Sequence, residues 1–167
     1  MSELLEKPNR IFVDADACPV KDEVIRVAER HKWPVFMVSN VWLRQGRHPL
    51  VESIAVPEGA DVADDWIAER CGAGDIVVTQ DIPLADRAIK AGALVTNNKG
   101  KAFTDQSIGM AVAVRDLKTG LREAGEIRDH HPAFSKRDRS DFLNGLERLI
   151  QQVRKLQRSA PPPASPR

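Results

Sequence analysis

Cysteine is scarce in this chain, with only Cys18 and Cys71 among its 167 residues. Two cysteines are too few for a disulfide framework, and their spacing is not that of a CxxC redox pair. Because a chain of this length buries roughly 70% of its unfolded surface, its core needs no disulfide or metal in order to fold. A bound metal would therefore serve chemistry rather than folding.

Long hydrophobic runs are also missing, although 42% of the residues are hydrophobic. No stretch approaches the roughly 18 apolar residues that a transmembrane helix requires. The opening residues, MSELLEKPNR, lack the basic segment and the apolar segment of a secretory signal. We therefore expect a cytoplasmic protein that makes no use of a membrane.

No single sign of charge dominates, since the net charge is +1. The charge is unevenly distributed: residues 136–167 contain eight Lys or Arg and three acidic residues, whereas residues 1–135 contain 17 and 21. A basic C-terminal arm permits binding of nucleic acid or of another acidic partner, and a solvated helix face is the commoner explanation for it. No residue pattern in the chain predicts an oligomeric state.

Short β-branched segments alternate with helical patterns along the first hundred residues. The predicted strands are residues 10–13, 35–38, 53–56, 75–79 and 93–96, and helices are predicted from Pro19 to Trp33, from about Asp61 to Cys71 and from Pro83 to Ala91. This alternation predicts a three-layer α/β/α fold with a mainly parallel sheet of about five strands. All strand-to-helix loops of such a sheet lie at one edge, where open α/β proteins bind their ligands.

The remainder of the chain has a helical pattern. A helix is predicted from Thr104 to about Glu123, a connector over 125–132, and an amphipathic basic helix over about 135–157. The last helix should dock its apolar face on the body of the protein through Phe142, Leu146, Leu149, Ile150 and Val153. We thus predict one domain over residues 1–157, followed by a disordered Pro-rich tail over 158–167.

Two aspartates follow the first predicted strand. In extended backbone, residues two apart project to the same side, so Asp14 and Asp16 can both reach one hard cation. Aspartate also caps helices and builds turns, which is the structural alternative for both residues.

Three further aspartates stand at the start of a predicted helix. Asp61, Asp64 and Asp65 are three and four residues apart, so they are expected to share one helix face. The helix dipole accounts for one or two acids near its N-terminus. A third acid beside them repels the other two, and a bound cation would neutralise this repulsion.

Asp81 is the sixth carboxylate, placed after the fourth strand together with Thr79, and Asn40 follows the second strand at the same edge. Crowded carboxylates repel one another unless a cation such as Mg²⁺ or Mn²⁺ neutralises them. Oxygen ligands favour these two ions over zinc or copper. The four histidines, at positions 31, 48, 130 and 131, show no metal-ligand spacing. The sequence therefore predicts a Mg²⁺ or Mn²⁺ site at this edge.

Several stretches of this sequence resemble a family of uncharacterised bacterial proteins known as YaiI/YqxD, UPF0178 or DUF188. They are VDADACPVKDEVIRVAER, GADVADDWIAE, DIVVTQDIPLADRA, ALVTNNKG and FSKRDRSDFLNGLERLI, and the resemblance covers roughly residues 10 to 150. That family is similar in pattern to PIN-like and NYN-like nuclease domains, whose acids follow the first strand, open a middle helix and follow a TxD strand.

The resemblance implies a PIN-like domain and a particular set of metal ligands. They are Asp14 and Asp16, Asp61 with Asp64 or Asp65, and Asp81. The doubled acid Asp64-Asp65 departs from common PIN patterns and leaves the choice between these two open.

The first functional hypothesis is a metal-dependent nuclease that acts on RNA. Its catalytic residues would be Asp14, Asp16, Asp65 and Asp81, holding two Mg²⁺ or Mn²⁺ ions. Basic residues of the last helix would bind the nucleic-acid backbone, namely Lys136, Arg137 and Arg139, with Arg154 and Lys155.

Two alternatives remain open from the sequence. A haloacid-dehalogenase-type phosphohydrolase would use Asp14 as nucleophile and Asp16 as general acid. The order of its motifs and the cysteine at position 18 count against that hypothesis. A non-catalytic module that binds metal or nucleic acid is the other alternative, because a fold alone does not establish chemistry.

Overall fold

The computed structural model describes residues 3–16, 18–40, 48–59, 61–110, 113–114 and 134–159. These residues form a 3₁₀ turn at Glu3–Glu6 and six strands: β1 Ile11–Asp14, β2 Val35–Ser39, β3 Val51–Ala55, β4 Ile76–Val78, β5 Leu94–Thr96 and β6 Ala102–Phe103. The helices are α1 Lys21–His31, α2 Val62–Ala68, α3 Ile82–Lys90 and α5 Lys136–Ser159. Helix α4 is described over 105–110 and 113–114. The predicted connector over 125–132 and the tail beyond 159 lie outside the described residues.

The strands form one sheet in the order β3-β2-β1-β4-β5-β6, in which only β6 is antiparallel to its neighbour. The predicted α/β fold with a mainly parallel sheet is confirmed. The sixth strand was not predicted, because two residues are too short to show the alternation by which strands are recognised. Strand β3 also begins two residues earlier than predicted, at Val51.

Both faces of the sheet are covered, which explains why its central strands are apolar throughout. Ile11 and Val13 pack on the face that carries α1 and α5, whereas Phe12 packs on the face that carries α2 and α3. Phe12 stacks on Phe36 of β2 with ring centroids 5.4 Å apart. Within the described ranges, no helix combines the length and the apolar character needed to cross a membrane.

Successive strands are added to the sheet in opposite directions from β1 and from β4, so the strand order reverses between these two parallel strands. From β1 the chain passes through α1 to β2 on one side, and from β4 it passes through α3 to β5 on the other side. Helices α1 and α3 therefore lie on opposite faces of the sheet. Such a switch point opens a crevice at the carboxyl ends of the two strands, where α/β proteins bind ligands.

A buried ion pair fixes β1 against β4 at their amino ends. Arg10 donates from Nη2 to Oδ2 of Asp75 at 2.8 Å and from Nε to Oδ1 at 3.1 Å. The side chain of Asp75 is 1% exposed, and it also accepts a hydrogen bond from the backbone of Gly72 at 2.9 Å. Arg10 in turn donates to the carbonyl oxygens of Leu5 and Arg70. This network anchors the edge of the sheet opposite the switch-point crevice.

Helix α5 docks as its apolar pattern predicts, and that prediction is confirmed. The buried residues include Phe142, Leu146, Leu149, Ile150 and Val153. Ser135 and Asp138 form the predicted capping box, with both backbone-to-side-chain hydrogen bonds at 3.0 Å. The helix continues to Ser159, two residues beyond its predicted end.

Two glycines bring α5 into backbone contact with the loop between β5 and β6. A Cβ at Gly145 would lie 2.3 Å from the carbonyl oxygen of Gly100, and a Cβ at Gly100 would lie 2.2 Å from that of Asp141. Gly100 also has a φ of +80°, in the region that glycine favours. Because the opposing atoms belong to the backbone, neither position has room for a side chain.

We expect Gly145→Ala to lower the free energy of unfolding by about 1–3 kcal/mol, as overpacking does in protein cores. In an unobstructed helix the same change would raise stability by up to about 1 kcal/mol. The adjacent exposed change Asn144→Ala is the matched control and should stay within about 0.5 kcal/mol of the parent. Urea denaturation measures both variants, and a Gly145→Ala protein as stable as the parent would contradict the contact.

We expect Asp75→Asn to lower the free energy of unfolding by about 3–5 kcal/mol, because it leaves the guanidinium of Arg10 buried without its countercharge. The control is Asp86→Asn, which breaks the more exposed pair between Asp86 and Lys90 on α3. That change should cost less than about 1 kcal/mol. Equal losses in the two variants, measured by chemical denaturation, would be inconsistent with a structural role for the Arg10 network.

Candidate functional site

Three of the predicted site residues are connected by hydrogen bonds at the switch point. Asp14, the last residue of β1, accepts a hydrogen bond at Oδ2 from the Thr79 hydroxyl at 3.0 Å. The same hydroxyl oxygen accepts from the backbone N–H of Asp81, also at 3.0 Å. Thr79 is 2% exposed, so these bonds form away from solvent. The expectation that Asp14, Thr79 and Asp81 lie at one edge of the sheet is confirmed.

Asp16 is oriented by the end of the neighbouring strand β2. Its Oδ1 accepts a hydrogen bond from the Ser39 hydroxyl, and its Oδ2 accepts from the backbone N–H of Asn40 at 3.4 Å. Asn40 therefore reaches the predicted site through its backbone. Ser39 was not predicted, although its place at the end of a buried strand at the same edge is visible in the sequence.

Asp81 caps helix α3. Its Oδ1 accepts from the backbone N–H of Leu84 at 2.8 Å, and Pro83 occupies the first turn. A negative charge is favourable at this end of a helix, because the helix dipole is positive there. The cap fixes the position of the Asp81 side chain beside the end of β4.

The three acids of the middle helix do not share one face as predicted. Asp61 precedes α2 in a left-handed conformation with φ of 67°, so it lies outside the helix that was expected to include it. Asp65 forms an ion pair at 2.6 Å with Arg87 of α3, and its side chain is 53% exposed. Asp64 is half-buried, and its charge is coupled to those of Asp14 and Asp81. The structure therefore brings Asp64, rather than Asp65, to the acids of the switch point.

Burial and mutual repulsion raise the pKa of two carboxyls at this edge. The pKa of Asp64 is raised to about 6, first by burial and then by the negative charges of Asp81, Asp14 and Asp61. Burial also raises the pKa of Asp14; the Thr79 hydrogen bond partly offsets this, and Asp16 and Asp81 add repulsion. We call Asp14, Asp16, Asp64 and Asp81 the acidic cluster. Their negative neighbours thus disfavour the ionised forms of Asp14 and Asp64, which is the condition that a bound cation relieves.

A cavity of about 40 Å³ lies beside the acidic cluster, bordered by Asp14, Asp16, Cys18, Val78, Thr79, Gln80 and Asn98. The side-chain oxygen Oδ1 of Asn98 is buried there, and no hydrogen-bond partner for it occurs among the described residues. The backbone N–H of Asn98 donates to Oε1 of Gln80 at 2.8 Å. Asn98 and Gln80 were not predicted as site residues, although each stands two residues after a strand that ends at this edge.

Among the described residues, no group of three His, Cys, Asp or Glu side chains stands in position to hold a metal ion. Two members of the acidic cluster are turned toward other partners, since Asp16 accepts from Ser39 and Asp81 accepts from Leu84. The donor chemistry nevertheless fits a hard divalent cation, because it consists of carboxylate oxygens and the unpartnered carbonyl of Asn98.

The basic residues predicted to bind nucleic acid have different surroundings. Lys136 and Arg137 are exposed at the start of α5. Arg139 donates to the carbonyl oxygen of Pro19 at 2.6 Å and to Glu23 at 3.2 Å. Arg139 therefore ties α5 to the segment that leads into α1, whereas Lys136 and Arg137 face solvent.

We expect Asp64→Asn to make the metal-free protein more stable at neutral pH, by about 1 kcal/mol after solvent screening. The pKa of Asp64 in the folded chain, about 6, exceeds its ordinary value of 3.8, so the folded state binds the proton more tightly than the unfolded state. Stability in EDTA should consequently fall as pH rises from about 4 to about 6. Thermal denaturation across this range should show a flatter profile for Asp64→Asn than for the parent. An unchanged profile would show that neither burial nor its negative neighbours raise the pKa of Asp64.

Comparison with known proteins places the chain in a family. The family described as "Uncharacterized BCR, YaiI/YqxD family" (DUF188) matches residues 12–152. A UPF0178 protein of Parvibaculum lavamentivorans is 56% identical over 153 residues, which are 92% of this chain and 98% of that protein. A UPF0178 protein of Rhodopseudomonas palustris is 57% identical over 152 residues, covering 91% of this chain and 96% of the relative. No solved structure matches the chain. The chain thus belongs to the YaiI/YqxD family, also called UPF0178.

Proposed function

We propose that this protein is a divalent-metal-dependent nuclease that hydrolyses phosphodiester bonds, with RNA as its substrate. The observation that carries the proposal is the acidic cluster, whose four carboxylates come from the end of β1, the loop after it, α2 and the start of α3, and whose negative charges act on Asp14 and Asp64 at the switch point. A fold needs no such arrangement, since the negative neighbours disfavour the ionised forms of Asp14 and Asp64. The PIN-like resemblance and a cytoplasmic location are part of the same proposal.

The ligands in this proposal are the acidic cluster and the side-chain oxygen of Asn98. When bound, Mg²⁺ or Mn²⁺ lowers the pKa of a water molecule and stabilises the charge that develops on the phosphodiester. Asp64 replaces Asp65 among the proposed catalytic residues, because the carboxylate of Asp65 is paired with Arg87. Asp61 is not among the proposed ligands, but its negative charge helps to raise the pKa of Asp64.

Neutral groups of the protein hold the carboxylates without cancelling their charge. The Thr79 hydroxyl fixes Asp14, and Ser39 with the Asn40 backbone fixes Asp16. A neutral donor orients a carboxylate, whereas a lysine or arginine would compete with the metal for it. The negative charge of these two residues thus remains available to a cation.

The non-catalytic alternative depends on the same acidic cluster. A module that binds metal or nucleic acid would also be stabilised by Mn²⁺ and would lose that response when Asp14 is replaced. Turnover of a substrate is the measurement that separates a nuclease from such a module. Hydrolysis of p-nitrophenyl phosphate, tested in parallel, distinguishes a nuclease from a phosphohydrolase.

We expect the protein to cleave single-stranded RNA in Mn²⁺ or Mg²⁺ and Asp14→Asn to reduce the rate at least about 100-fold. Asn retains the shape of the side chain and one oxygen for the Thr79 bond but loses the charge that holds the cation. The melting temperature of the metal-free variant should not fall, because a repelled charge has been removed. Gel assays of labelled RNA and thermal shifts with and without Mn²⁺ measure these effects.

The controls for this experiment use acids of similar size near the site. Asp86→Asn on α3 should leave cleavage unchanged, and Asp64→Asn should reduce it more than Asp65→Asn. Cleavage that persists in Asp14→Asn or in excess EDTA would assign the activity to a contaminating ribonuclease. If no RNA or DNA is cleaved while Mn²⁺ still stabilises the parent protein, the binding-module alternative is correct.

A further inference from the structure

The loop between β5 and β6, residues 97–101, has a conformation fixed by its own hydrogen bonds; we call it the Asn97 loop. Oδ1 of Asn97 accepts from the backbone N–H groups of Lys99 and Lys101, both at 2.9 Å. The backbone of Asn97 also donates to the carbonyl oxygen of Lys101 at 3.0 Å and accepts from Gly100 at 3.2 Å. Because these bonds fix the backbone of the loop, the Cα atoms of Lys99 and Lys101 have defined positions.

The Asn97 loop separates two cavities at the edge of the sheet. Asn98 borders the small cavity of the acidic cluster, whereas Lys101 borders a cavity of about 460 Å³ that also contacts Ser107 and Met110. Gln80 borders both cavities. A molecule bound at the acidic cluster can therefore continue past Gln80 into the larger cavity, where Lys101 offers a positive charge.

On its other side, the loop approaches the start of α5. Lys99 and Arg137 lie close enough to Asp138 to help lower the pKa of its carboxyl, after the larger effect of the Ser135 cap. The contact between Gly100 and Gly145 holds the loop against the helix. Lys99, Lys136 and Arg137 are exposed. Lys99 and Arg137 thus place positive charge where the loop meets α5, and Asn98, which precedes Lys99, borders the small cavity of the acidic cluster.

We propose that the Asn97 loop positions a polynucleotide across the acidic cluster, with Lys99, Lys136 and Arg137 contacting phosphates on one side and Lys101 on the other. This inference rests on the proposed nuclease function and deepens it by naming the loop and the cations that would hold the strand across the site. The acidic cluster repels a phosphate, so affinity must come from cations on its flanks. A single phosphate group reaches only one flank, whereas a strand reaches both.

The test measures binding of a fluorescent single-stranded RNA of ten nucleotides in EDTA, so that no cleavage interferes. We expect the double variant Lys99→Gln/Lys101→Gln to bind about tenfold more weakly than the parent. It should also reduce the slope of log K against log salt by about 1.4, since a single strand loses about 0.7 for each phosphate contact removed. Fluorescence anisotropy between 50 and 200 mM salt gives both quantities.

The matched control is Lys7→Gln/Arg158→Gln, which removes two exposed charges, one from the segment before β1 and one from the other end of α5. That end lies near Gly74 at the amino edge of the sheet, since a Cβ at Gly74 would lie 3.2 Å from Gln157. The control should bind RNA as the parent does. Both double variants should melt at the parent's temperature, because exposed lysines contribute little to stability.

Three results would overturn the inference: a parent protein that fails to bind the RNA at low salt, equal losses in the two double variants, or a mononucleotide that competes as well as the ten-nucleotide strand. Either of the first two results would show that the lysines of the loop do not bind the RNA strand. The third would show that the protein binds a single phosphate group rather than a chain of phosphates. The proposed nuclease function fails separately, when RNA binds as expected but the parent does not cleave it in Mn²⁺.

Discussion

The parallel pairing of β1 with β4 is the constraint on which the remainder of the site depends. Every partner across this pair is 65 residues away: Ile11 lies opposite Ile76, Arg10 bonds to Asp75 and Thr79 bonds to Asp14. A side-chain contact thus lies at each end of this strand pair. At the amino end it is the ion pair between Arg10 and Asp75, and at the carboxyl end it is the hydrogen bond from the Thr79 hydroxyl to Asp14. A shift of one residue would break both contacts and would turn the apolar side chains of β1 to the wrong faces.

The carboxylates at the two ends of this strand pair differ in whether their charge is compensated. Asp75 is buried but meets a guanidinium and backbone N–H groups, so its charge is compensated within the fold. Asp14 receives a neutral hydroxyl, while its charged neighbours are other acids. Uncompensated charges like that of Asp14 occur mainly at functional sites, where the loss of stability is tolerated because the group is needed for binding or catalysis. The contrast between these two aspartates distinguishes the structural edge of the sheet from the functional edge.

Sequence patterns predicted the edge of the sheet but not the detail of the site. Residues that follow buried parallel strands must meet at one edge, so Asp14, Asp16 and Asp81 could be grouped without coordinates. The choice between Asp64 and Asp65 depends on Arg87, a partner on another helix that helical spacing does not reveal. Asp61 was placed in a helix because its left-handed backbone has no signature in its neighbours. Asn98 and Gly145 could not be identified from the sequence either. The importance of each depends on a segment that is distant in sequence.

The contact between Gly100 and Gly145 has a consequence for how the protein is made. Helix α5 follows all six strands in the chain, so during translation the acidic cluster leaves the ribosome before the helix does. A domain generally folds as a unit. Because α5 packs on one face of the sheet and Gly145 contacts Gly100, the Asn97 loop gains its full set of contacts only after α5 has been synthesised. A nascent chain would therefore carry the acids of the candidate site before it carries the helix that holds the Asn97 loop in place.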